Sequence, residues 1–165
     1  MTYLRRIFLL RHAKSEHSGA NADLDRPLAR RGHRACAALA DHLRKEQLAP
    51  DLVLCSSARR TRQTVAGIAA ALPPTVPVVT EDRLYLAEPS ELLTRLRELD
   101  DGLPSVLLVG HNPGIHTLAV ALLDPAQRDE MPTFPTAALA VLETRIHRWV
   151  DLGPGTTHLA SFTTF

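Results

Sequence analysis

Apolar residues come in short unbroken runs, separated by polar turns and amphipathic stretches. Ile7 to Leu10 is one such run and stops at Arg11-His12. A run apolar at every position suits a strand buried on both faces, as in a parallel sheet. Asp51–Cys55 and Val106–Val109 repeat the pattern, and Val76–Thr80 predicts a further strand interrupted by Pro77. Between the runs the period changes. From Leu28 to Leu48, residues Ala35, Cys36, Leu39, Ala40 and Leu43 fall on one helical stripe, with Arg30, Arg34, Asp41, Arg44 and Lys45 mostly outside it. Pro50 closes that helix. Ala58 to Leu72 predicts a second, opened by Ser56-Ser57, whose hydroxyls can accept from free N–H groups, and ended by Pro73-Pro74. Ser90 caps a third running to about Leu99. Asn112 as cap and Pro113 as first residue predict a fourth to about Leu123. Residues 13–26, with Gly19 and Asn21, read as loop, as do 81–89 and 124–135. Ala137–Glu143, Arg145–Asp151 and His158–Phe162 predict a terminal antiparallel set. Strands alternating with helices predict an α/β fold: a three-layer sandwich, its mainly parallel central sheet covered by helices on both faces, in one domain over residues 1–165.

Composition narrows the class. The 165 residues are 45% hydrophobic but only 4% aromatic, so the core must be built of Leu, Val and Ala. Nineteen Lys plus Arg against 18 Asp plus Glu gives a net charge of +1, which argues against a general nucleic-acid binder but leaves room for a local cationic pocket. Two cysteines, Cys36 and Cys55, make no disulfide framework and read as free core thiols. No apolar run approaches the roughly 20 residues of a membrane helix. The apolar stretch near Met1 is too short for a signal-peptide core of about 7–15 residues. These features predict a cytoplasmic protein with no membrane partner.

The common nucleotide loops, H-E-x-x-H and paired C-x-x-C are missing. Gly110-His-Asn-Pro-Gly114 has the spacing of a nucleophile elbow, but its central residue is Asn112, which cannot attack a carbonyl. What is present is positional. Three apolar strands each hand over to polar chemistry: one at Arg11-His12, one at Ser56 with Arg59, Arg60 and Arg62 beyond, one at Gly110-His111. Ligands of open α/β sheets bind outside the carboxyl ends of the strands. If these strands are neighbours, two histidines and several arginines share a pocket suited to a compact dianion such as phosphate. A neutral imidazole there can attack phosphorus without a metal, while cations stabilise the phosphoryl group in transit.

Arg11-His12-Ala13-Lys14-Ser15 after an apolar strand resembles the R-H-G/A signature of the histidine phosphatase, phosphoglycerate mutase-like superfamily. Asp23-Leu-Asp-Arg26-Pro27-Leu28 with Arg31-Gly32 is similar to a stretch of its small SixA-type branch, as is Ser56-Ser-Ala-Arg-Arg60-Thr-Arg-Gln63-Thr64. Val109-Gly110-His111-Asn112-Pro113 matches the second histidine motif. The four motifs stand in order over residues 7 to 123.

The resemblance implies His12 as nucleophile, with Arg11, Arg60 and His111 completing the phosphate pocket, Ser15 and Asn112 as further phosphate contacts, and Arg26 supporting the loop or rim. It places a general acid, where there is one, between the arginine motif and the second histidine, which here offers Glu81 and Glu88. It implies no cofactor and no metal. The partner is a phosphorylated protein, with phosphohistidine as the leading substrate, or a small phosphorylated metabolite. Three other readings stay open: a phosphomonoesterase of sugar or nucleotide phosphates, a phosphate-binding module without turnover, and a metallohydrolase using His12 and His111 with Asp23 or Glu88.

Overall fold

A computed structural model describes residues 3–17, 19 and 22–165. Met1, Thr2 and Asn21, which entered the reading of the N-terminus and first loop, lie outside the described residues. Six strands form one sheet: β1 (Tyr3–Arg11), β2 (Val53–Ser56), β3 (Val78–Glu81), β4 (Ser105–Gly110), β5 (Leu139–Ile146) and β6 (Thr157–Thr163). Their order is β3-β2-β4-β1-β5-β6. The first four run parallel; β5 and β6 pair antiparallel at one side. This is the α/β sandwich expected, because the apolar runs feed both faces. In β1, Ile7 and Leu9 face one core while Phe8 and Leu10 face the other. In β4, Val106 and Leu108 alternate with Leu107 and Val109 in the same way.

Helices α1 (Arg30–Lys45) and α2 (Arg59–Ile68) cover one face through Cys36, Leu39, Leu43, Val65 and Ile68. Helices α3 (Pro89–Arg97) and α4 (Gly114–Leu122) cover the other through Leu92, Leu96, Ile115 and Leu118. Both cysteines are free and buried. Among the described residues no helix is long and apolar enough to cross a membrane.

Several local expectations need correction. Helix α1 starts at Arg30 rather than Leu28, because Leu28 forms a bridge with Ser15 and its N–H goes to the Gln63 side chain, 2.7 Å away. Ala58, not a serine, stands before α2, and the Ser56 hydroxyl turns to His111 instead. Glu88 rather than Ser90 precedes α3, where its N–H donates to the Glu91 carboxylate at 2.8 Å. Asn112 caps nothing: Pro113 occupies the cap position of α4, after a cis peptide bond. Arg145–Asp151 is not a strand. β5 continues through Arg145 opposite Leu4, and the segment then turns into a short 3-10 helix at Trp149–Asp151. Buried Trp149 decides this, its indole N–H donating to the Leu103 carbonyl at 3.0 Å.

The parallel register matters most for function. Arg11 pairs with Gly110, and Cys55 with Val109, so the carboxyl ends of β1, β4 and β2 form one level edge. The loop after β1 is clamped there by α1. A Cβ on Gly32 would stand 2.1 Å from the Lys14 carbonyl oxygen, closer than any side chain allows. Gly32→Ala therefore forces the helix off the loop and should destabilise the protein by about 2 kcal/mol, seen as a lowered denaturant midpoint with an unchanged slope.

Candidate active site

At that edge lies an open cavity of about 290 Å³. It is lined by Arg11, His12, Lys14, Ser15, His17, Asp23, Arg26, Arg60, Leu86, His111, Asn112 and Thr136. A larger hollow of about 390 Å³ beside Leu4 and Pro104, at the other end of β1, contains none of the motif residues.

Arg60 is the centre of the site. Its side chain is 2% exposed, yet each of its three nitrogens has a partner. Its Nε donates to His12 Nε2 at 3.3 Å and its Nη2 to His111 Nδ1 at 3.3 Å. Its Nη1 donates to the Asp23 carbonyl at 2.7 Å, and Nη2 also to the Asp23 carboxylate at 3.1 Å. A guanidinium has only donors, so both imidazole nitrogens facing it must be acceptors. The other ring nitrogens agree. His12 Nδ1 faces the Ala13 carbonyl at 2.8 Å and must carry the proton. His111 Nε2 lies 2.7 Å from the Ser56 hydroxyl, to which it donates. Both imidazoles are neutral, and His12, which lines the cavity, directs its Nε2 lone pair at the Arg60 Nε–H. Their ring centroids are 5.2 Å apart.

The electrostatics reinforce this state. Burial, then Arg60 and Arg11, bring the His12 pKa down to about 4 against the hydrogen bond to Ala13. Burial, then His12 and Arg60, bring His111 down to about 3. Asp23 is also low, at about 2, through the Tyr85 hydroxyl that donates to it and through Arg60 and Arg26. The site thus holds a fixed carboxylate, neutral histidines and permanent cations.

The supporting contacts come from three segments. Arg26 donates to the Asp23 carboxylate, to the Ser15 hydroxyl and to the Glu16 carbonyl, pinning the loop. Ser15 accepts there, leaving its own O–H free to point at a ligand. Thr64 accepts from the Ala13 N–H and donates to the Arg60 carbonyl, tying α2 to the chain beside His12. Arg11 donates to the Phe134 carbonyl at 2.9 Å, while its buried Nε has no protein partner among the described residues.

Three expectations fare differently. Asn112 lines the cavity, and one N–H of its amide goes to the Phe134 carbonyl at 2.8 Å, leaving one for a ligand. Glu81 does not line the cavity; Arg83 and Arg95 hold its carboxylate and lower its pKa. Glu88 stands at the start of α3 and does not line the cavity either. Sequence reasoning offered Asp23 only as a metal ligand and missed it as the carboxylate that holds Arg60, although it opens the motif containing Arg26. It also missed Tyr85 and Thr136, which carry no local signal, and gave His17 no part in the pocket. Leu86 was missed too: it sits at the rim, 53% exposed, with a φ of 49°.

Depressed histidine pKa values carry a definite sign. Below about 6.5 the unfolded chain binds protons that the folded chain refuses, so stability falls as pH drops from there towards 4. Thermal melts should show that loss. In imidazole NMR titrations His12 and His111 should titrate well below 6.5; a midpoint near 6.5 for both would contradict the arrangement.

The family model for the histidine phosphatase superfamily (branch 1) matches residues 7–85. An uncharacterised protein of Mycobacterium tuberculosis is 38% identical over 161 residues, covering 93% of this chain and 98% of its own. The solved structure of a candidate SixA phosphohistidine phosphatase from Nakamurella multipartitia superposes with a TM-score of 0.86 at 32% identity, covering 97% of this chain and 95% of that one. A corresponding Agrobacterium tumefaciens structure gives 0.84 at 29% identity, covering 98% of each chain. With matches of this extent over a histidine-centred cationic pocket, the chain belongs to the histidine phosphatase superfamily as a SixA-like, histidine-nucleophile phosphatase.

Proposed function

We propose that the protein hydrolyses phosphohistidine on proteins, without a metal, through a phosphoryl group carried transiently on His12. The observation that carries this reading is the His12 tautomer. Its proton is held on Nδ1 by the Ala13 carbonyl, so the lone pair is on Nε2, where Arg60 holds it until a phosphoryl group draws the guanidinium away. The phosphoryl group docks against Arg60, Arg11 and the Ser15 hydroxyl. His12 Nε2 forms a bond to phosphorus as the bond to the departing group breaks. Water then attacks phosphorus, the P–Nε2 bond breaks, and His12 returns to its neutral form with Nδ1–H intact.

The leaving group decides between substrate classes. An alkyl phosphate expels an alkoxide, which needs a proton from an acid. The one carboxyl lining the cavity among the described residues is Asp23, ionised down to about pH 2 and unable to give one. A substrate imidazole already protonated on its other nitrogen leaves neutral and needs no enzyme acid. This favours phosphohistidine over sugar or nucleotide esters, and it accords with the names of the SixA-like relatives. A metal between His12 and His111 is disfavoured, since Arg60 already places a cation against both nitrogens that would bind it.

Phosphate release in excess EDTA, from a phosphohistidine peptide, an aryl phosphate and a sugar phosphate, tests the reading. Wild type should release phosphate from the peptide fastest and from the sugar phosphate slowest. His12→Ala should lose at least about a thousandfold in kcat/KM. Activity abolished by EDTA, or surviving in His12→Ala, would overturn it.

A further inference from the structure

Helices are stabilised by acidic residues at their N-termini and opposed by basic ones. Both α1 and α2 break this rule. Neither has an acidic residue in its first turn. Instead α1 opens with Arg30, Arg31 and Arg34, and α2 with Arg59 and Arg62, all five exposed. The spacing worsens matters: Arg30–Arg34, Arg31–Arg34 and Arg59–Arg62 are like charges three or four residues apart, which repel on a helix surface. The chain supplies no acid to relieve them, since no Asp or Glu occurs from Arg26 to Ala40 or from Ser56 to Thr80. None of the five forms an ion pair among the described residues. Arg62 alone finds a partner, donating to the Ser57 carbonyl at 3.1 Å. In a chain whose net charge is only +1, this is a concentration of cations that the fold does not need.

Its position gives it a use. The two helix starts are joined by the Leu28 N–H donating to Gln63, and both abut the active site. Leu28 bridges Ser15, Gly32 lies against Lys14, and Arg59 precedes Arg60; Ser15, Lys14 and Arg60 all line the cavity. Helical side chains lean towards the N-terminus, here the end where the cavity opens. We propose that Arg30, Arg31, Arg34, Arg59 and Arg62 form a docking collar for an acidic face on the phosphorylated protein partner, a face that surrounds the phosphorylated side chain. This rests on the protein substrate proposed above and adds what selects it. An acidic protein fits better than a nucleic acid, because residues 26–45 and 56–68, which carry the five arginines, contain no Phe, Tyr or Trp to stack a base. The fold tolerates the collar because surface charges are individually weak; a partner gains because several of them act on it together.

The test compares wild type with the triple variant Arg31→Ala, Arg34→Ala, Arg59→Ala. The probes are two phosphohistidine peptides, one flanked by Glu and Asp and one by Ser and Gly, together with phosphoramidate as a small donor. Wild type should favour the acidic peptide by about tenfold in kcat/KM at low salt, and the preference should shrink as salt screens the charges. The triple variant should lose the preference, keep its phosphoramidate rate, and melt no lower than wild type, because it removes charges that oppose the helix dipoles. Equal rates on the two peptides in wild type, or a preference surviving in the variant, would overturn the collar. Failure of the substrate reading looks different: phosphoramidate is cleaved and neither peptide is. Fluorescence anisotropy of the unphosphorylated acidic peptide then decides the collar by itself. Salt-sensitive binding lost in the variant supports it; no binding, or tighter binding of an oligonucleotide of equal charge, overturns it.

Discussion

One buried guanidinium organises the site. Arg60 carries a positive charge on a buried side chain, and an unpaired charge there would be strongly unfavourable. All three of its nitrogens are therefore met, by two imidazole nitrogens and by the carboxylate and carbonyl of Asp23. That requirement sets the rest. It fixes the lone pairs of His12 and His111 towards the guanidinium, keeps both rings neutral, and holds Asp23 ionised. It also gathers three segments distant in sequence: the end of β1, the loop containing Asp23, and the turn after β4. Substrate charge then replaces what the histidines supply to Arg60 in the resting site.

The sheet makes this gathering possible. Parallel strands in matched register end at one edge, so Arg11 and Gly110 stand side by side and the histidine after each projects into the same space. Thr64 and Gly32 then hold the loop after β1 from two sides, one by hydrogen bonds and one by the absence of a side chain. Precision at His12 is thus supplied by backbone contacts and a helix, elements that move little, while the cavity mouth is left to loop residues and arginines.

Much of this was legible in the sequence. Unbroken apolar runs reported strands buried on both faces, and Arg11, His12 and His111 stand just past such runs, whereas only the motif resemblance separates Arg60 from Arg59 and Arg62. What failed failed for physical reasons. Ser56 and Asn112 have the chemistry of helix caps, but their side chains serve tertiary partners, His111 and the Phe134 carbonyl, which local pattern cannot foresee. Trp149 ended a predicted strand because its burial demanded a turn. Glu81 and Glu88 lie in the right stretch of chain, yet ion pairing and helix capping direct them away from the cavity. Asp23 and Tyr85 meet across 62 residues, a contact that spacing does not encode.

The central claim is that His12 Nε2 carries the phosphoryl group. It is tested most directly by quenching the enzyme during turnover of a phosphohistidine peptide and mapping any covalent phosphate by mass spectrometry and ³¹P NMR. The account predicts one acid-labile, base-stable phosphoryl group on His12 Nε2, absent from His12→Ala. Phosphate on another side chain, or turnover with no phosphoenzyme at saturating substrate and the shortest quench times, would contradict it.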